Sequence, residues 1–158
     1  MNKNRILVAI LAPLFLLFYS CGTKLLSSSS SPATRATVVG VSADYLTKVV
    51  QGKLKEVNVM IVWAEYLENS SPGMTKKKYF SQLESIQNRW QPSEHPLLGL
   101  TTVSVDVDGN DAEVVLRKEQ QEPDISVSLA WAGTGWMIVG DSLFGDRGLI
   151  SRQQYTNR

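Results

Sequence analysis

The sequence predicts an α+β domain in which N-terminal helices pack on a four-stranded antiparallel sheet. Two observations carry that expectation. Apolar residues recur at helical spacing between Ser42 and Trp90, and from Val103 to Asp141 the period changes to two, with turn residues between the alternating runs. Composition agrees: 43% of the 158 residues are apolar and 20% charged, with 16 basic side chains against 15 acidic ones, as in a globular chain. A net charge of +1 gives no field for nucleic acid. The single Cys excludes a disulfide framework within the chain, and the single His excludes a metal site that needs two. No metal and no cofactor are expected.

At the N-terminus, Lys3 and Arg5 precede an apolar stretch from Ile6 to Tyr19 that is broken only by Pro13. It is shorter than the ~18 residues a membrane-spanning helix needs and suits an export signal over residues 1–20. Ser20, Cys21 and Gly22 follow, so the sole Cys sits where an exported chain would be cut. This resembles the bacterial lipoprotein signal, although Phe18 and Tyr19 stand where that family usually has Leu and a small residue. The resemblance implies lipidation of Cys21, first on sulfur and then on the new amino group. Two or three acyl chains hold a protein stably at a bilayer. Gly22, in place of Asp, implies the outer membrane, with the domain facing the periplasm. Removing Lys3 and Arg5 leaves a nearly neutral chain, so lipid and not polybasic attraction would be the anchor.

Residues 21–41 include five consecutive serines, Ser27 to Ser31, then Pro32 and a Thr/Ala-rich run. Small polar residues without an apolar period predict a flexible tether. The domain is expected over residues 42–145. Ser42 is a candidate N-cap for a helix carrying Leu46, Val49 and Val50, which Gly52 interrupts. A second helix is expected from Leu54 through Val57, Ile61, Ala64 and Leu67. Its β-branched run would also suit a strand, but the flanking Lys and Glu residues favour helix. Pro72 and Gly73 mark a turn. A third helix is expected from Thr75 to Trp90, with Tyr79, Phe80, Leu83, Ile86 and Trp90 on one side. Lys76, Lys77 and Lys78 crowd its N-terminal turn, against the helix dipole.

Strands are then expected around Val103–Val107, over Ala112–Gln120, over Ile125–Trp131 and over Trp136–Asp141. Asp108-Gly109-Asn110-Asp111, Gln121 to Pro123 and Gly133-Thr134-Gly135 supply the turns. Residues 146–158 read as a polar tail. The order of elements, with Val49-Val50-Gln51-Gly52 early and Trp131-Ala-Gly-Thr-Gly-Trp136-Met-Ile-Val-Gly-Asp141 at the end, resembles the nuclear transport factor 2-like, or cystatin-like, superfamily. That resemblance implies a curved sheet wrapped against helices as a cone with an apolar mouth. Its members usually carry a strand between the second and third helices, and none is legible here. They include isomerases, dehydratases and polyketide-cyclase-like enzymes, as well as pockets without a reaction and dimer scaffolds, so the fold decides no function.

Enzymes of the superfamily place an Asp, His or Tyr inside the cone, where a shifted pKa makes it an acid or base. His95, between Glu94 and Pro96, is expected to be an exposed loop residue. Asp106, in phase with Thr102 and Ser104, is expected in solvent. Asp141 is expected to tie a backbone turn. Trp63, Trp90, Trp131 and Trp136 are the largest apolar surfaces and the candidate ligand- or partner-binding residues, with core or dimer interface the plainer role. No catalytic set assembles from these residues. The sequence reads as a lipid-anchored, non-catalytic module that binds an envelope protein, a second copy of itself or a small apolar ligand. The alternative is an isomerase, dehydratase or cyclase that uses the cone. An anionic polymer on Lys76–Lys78 is a third and weaker possibility.

Overall fold

A computed structural model describes residues 32–119 and 124–144. The signal peptide expected over residues 1–20, Cys21, the serine run and the polar tail expected over residues 146–158 lie outside the described residues. The first helix, α1, spans Pro32–Val50, so it starts well before the Ser42 cap the sequence pattern favoured. Residues 32–41, expected as part of the tether, are helical. Pro at the first helical position lacks only an N–H that would have no partner there. Further along, Val38, Tyr45, Leu46 and Val49 are buried at helical spacing. Ser42 is no cap but a buried interior residue, and its Oγ donates to the Val38 carbonyl at 2.9 Å. The helix closes as a Schellman motif. Lys53 N donates to the Lys48 carbonyl and Gly52 N to the Val49 carbonyl, with Gly52 in the left-handed region at φ 67°.

The single helix expected from Leu54 is broken in two. Helix α2 covers Leu54–Met60 and α3 covers Trp63–Asn69. Between them Ile61 forms a one-residue parallel bridge to Ile138, and Val62 N donates to the Ile138 carbonyl at 2.9 Å. The β-branched run fits either conformation, and a sheet edge alongside settles it for extended backbone at this point. Helix α4, Lys76–Gln87, lies within the expected span. The Thr75 side chain caps it by accepting from Lys78 N at 3.1 Å. No acidic residue lies in its first turn. Lys77→Glu is therefore expected to raise the unfolding free energy by about 0.3–1 kcal/mol, read as a higher urea midpoint at unchanged slope.

A short 3₁₀ turn, Pro92–Glu94, leads to the sheet. Its strands are β1 Leu100–Asp108, β2 Asp111–Lys118, β3 Ile125–Trp131 and β4 Trp136–Asp141, antiparallel in the order β1-β2-β3-β4. One face buries Val114, Leu116, Ile125, Val127, Leu129 and Ile138. Helix α1 packs across β1, β2 and β4, and α3 packs on β4. The pairing of β1 slips between Thr102 and Ser104. Val103, expected to share an inward face with Val105 and Val107, is instead 49% exposed, because a bulge re-aims the extra residue. Asp106 is exposed, as its phase predicts. Arg117 grips Asp124 through two parallel hydrogen bonds of 2.6 and 2.7 Å, joining the end of β2 to the start of β3.

Candidate functional site

Three tyrosines converge on one carboxylate between the helices and the end of the sheet. Tyr45 comes from the buried side of α1, Tyr66 from α3 and Tyr79 from α4, and all three are buried. Asp141 closes β4. Its Oδ2 accepts from the Tyr45 hydroxyl, and from the Tyr66 hydroxyl at 2.9 Å; its Oδ1 accepts from Leu143 N at 2.9 Å. Tyr45 and Tyr79 meet hydroxyl to hydroxyl at 2.5 Å. Tyr45 has one proton and gives it to Asp141, so Tyr79 is the donor in that contact. Rings of Trp63, Phe80 and Phe144 pack edge-on around Tyr79, with centroids 5.3–5.4 Å away. Trp63 is fixed in turn by its indole N–H on Asn58 Oδ1 at 3.0 Å.

Burial sets the electrostatics of this cluster. Removal from water pushes all three phenols far above their ordinary range, and the Asp141 charge adds to the effect. They are neutral donors. Burial also raises the Asp141 carboxyl, while the hydrogen bonds from Tyr45, Leu143 N and Tyr66 pull it back down. The arrangement can hold a carboxylate with fixed, neutral donors. It has the parts of an acid–base site, but the clefts lined by Leu97 and Leu116, by Val59 and Phe80, and by Asp106 and Ser128 do not include Tyr45, Tyr66, Tyr79 or Asp141.

No family model, curated protein or solved structure matches this chain.

The four tryptophans do not form one surface. Trp63 belongs to the tyrosine cluster, whereas Trp131 and Trp136 stack edge-on at 5.7 Å across the β3–β4 hairpin. Trp136 is buried and Trp131 is 42% exposed at the sheet end. Trp90 is half-buried after α4 and packs on the core. Cys21 lies outside the described residues. Among the described residues no group of three or more His, Cys, Asp or Glu could hold a metal ion.

His95 reverses its expectation. It is 1% exposed, because Pro96 and Leu97 fold inward with it. Its Nδ1 accepts from Leu97 N at 3.2 Å, which places the ring proton on Nε2, a buried atom with no hydrogen-bond partner among the described residues. Burial, helped by the Lys118 charge, lowers its pKa from 6.5 to about 4. Asp141 does tie the following turn, as expected, through Leu143 N. Sequence reasoning missed its partners. The available signal was a tyrosine on the apolar side of each of three helical segments, and a phenol buried there needs a polar partner.

Proposed function

We propose that this chain is an outer-membrane lipoprotein anchored through Cys21, with a nuclear transport factor 2-like domain that binds a partner protein on the periplasmic side and performs no chemistry. The closed hydrogen bonding around Asp141 carries the non-catalytic part. Where a cone would hold a ligand, Tyr45, Tyr66 and Tyr79 occupy the space around Asp141, whose two oxygens take three donors from the protein itself. Binding then falls to the surface. Two features support the family reading: the Ile61–Ile138 bridge, between α2 and α3 where such folds usually have a strand, and the hairpin framed by Trp131 and Trp136. A cleft of about 250 Å³ between α1 and the start of β1, lined by Leu46, Val50, Leu97, Leu98, Leu100 and Leu116, supports a small apolar ligand as a further occupant. No helix among the described residues is long and apolar enough to cross a membrane.

Metabolic labelling with radioactive fatty acid tests the anchor. Wild type is expected to take up label and Cys21→Ala to lose it; an unlabelled wild type beside a labelled control lipoprotein removes the anchor from the proposal. One observation favours a second reading, an isomerase, dehydratase or cyclase: a buried carboxylate beside phenols. Ligand-bound crystal structures separate the two. A ligand in contact with Asp141 would establish the enzyme reading, and ligands that leave the cluster closed would end it.

A further inference from the structure

The exposed side of the helical layer carries a groove that includes none of Tyr45, Tyr66, Tyr79 and Asp141 and shares Phe80 with the rings packed around them. It runs between α2 and α4 as a shallow, open groove of about 510 Å³, and its lining includes Leu54, Lys55, Val59, Lys76, Phe80 and Glu84. The two helices are antiparallel. Gln87 at the end of α4 donates to the Val49 carbonyl beside the start of α2, while Lys76 at the start of α4 sits 5.0 Å above the ring of Trp63, just past the end of α2. One end of the groove therefore pairs Val59 with Lys76, the other brings Glu84 toward Leu54 and Lys55, and Phe80 lies between.

Three features of this groove are unbalanced. Val59 is 69% exposed, the most exposed of the large apolar side chains among the described residues. Lys55 and Lys76 in the groove lining, and Lys77 and Lys78 next to Lys76 but outside the lining, have no ion-pair partner among the described residues. Three of those lysines also sit in the first turn of α4, where each opposes the helix dipole. An apolar floor with an uncompensated positive end complements a segment that is apolar along one side and acidic. Both walls are helices whose backbone bonds are internal, so the groove offers no ladder for an added strand, and side-chain insertion from a helix is the fitting mode.

We infer that the α2–α4 groove docks an acidic amphipathic helix of a partner protein, with its apolar side on Val59 and Phe80 and its acidic end on Lys76 and Lys77. This rests on the partner-binding reading above and names the surface and the chemistry of the partner.

The test uses the full-length lipoprotein with a photo-crosslinking amino acid in place of Val59, and in a second protein in place of Trp131, an exposed residue of the β3–β4 hairpin outside the groove lining. The probes are a helical peptide with Leu on one side and Glu on the other, the same peptide with Gln for Glu, and phosphatidylglycerol vesicles. The expected result is an adduct with the Glu peptide at position 59. Its yield should fall about tenfold with the Gln peptide or in a Lys76→Glu, Lys77→Glu double variant. Urea unfolding of that variant separates the causes, since relief of the dipole conflict holds or raises its stability while binding is lost. Equal adducts with both peptides, an adduct with lipid, one within or between copies of this chain, or none at all would each overturn the proposal. In cells, adducts at position 131 without any at position 59 would overturn the groove and leave partner binding standing; none at either position would overturn both.

Discussion

Asp141→Ala is expected to lower the unfolding free energy by about 3–5 kcal/mol, the largest loss from any single polar substitution in the core. The change strands two buried phenol donors, Tyr45 and Tyr66, and the backbone N–H of Leu143. Asp141→Asn keeps one acceptor oxygen and turns an N–H₂ toward donors, for an expected loss of about 1–3 kcal/mol. Tyr66→Phe removes one donor and leaves Oδ2 bonded to Tyr45, for about 0.5–1.5 kcal/mol. Urea unfolding of the three variants checks the order, and an Ala variant within about 1 kcal/mol of wild type would contradict a buried, saturated carboxylate. Asn also removes a titration. Burial holds the folded carboxyl above its unfolded value, so the Asp141 contribution is complete below the ordinary carboxylate range. It declines as pH rises through the raised folded value. The Asn variant is expected to lack that decline.

The second large effect is acid sensitivity centred on His95. Its folded pKa of about 4 lies below the unfolded 6.5, so as pH falls the unfolded chain takes up the proton first. The His95 contribution is complete above pH 6.5, is lost progressively down to about pH 4, and is constant below that. The full loss is about 3 kcal/mol at 1.36 kcal/mol per pKa unit. His95→Asn, whose side-chain oxygen can replace Nδ1 as the acceptor for Leu97 N, is expected to lack this slope. The difference between wild-type and Asn stability across that range isolates the histidine from every other titrating group. Parallel curves for the two proteins would show that the imidazole is solvated.

Much of the sheet was legible because alternation is a local property. Ile125–Trp131 and Trp136–Asp141 fall where period two and the glycine turn place them, since each inward residue meets the same core face. Helix α4 was legible for the same kind of reason, with Tyr79, Leu83 and Ile86 at helical spacing behind a Thr cap. The misses are tertiary. Residues 32–41 read as a tether because Thr and Ala carry little pattern, and only the packing of Val38 gives that segment a buried side. The break at Ile61–Val62 depends on a strand that arrives far later in the chain. His95 looked exposed beside Glu94 and Pro96, yet the loop turns inward and supplies its own donor from Leu97. For the candidate site, Asp141 and its turn could be read from the sequence, but its phenol partners come from three separate helices whose placement no local period encodes.

The extended pair Ile61–Val62 does more than interrupt a helix. Together with the Asn69 amide, which donates to the Val139 carbonyl at 3.2 Å, it occupies the outer side of β4, so growth of the sheet by strand addition is blocked at that end. Indefinite polymerisation by such addition requires two free edges on every subunit. Among the described residues this sheet offers one, along β1, and there the bulge at Val103 disrupts a regular ladder. Two copies that met edge to edge through β1 would complete each other and leave no end from which a fibre could extend.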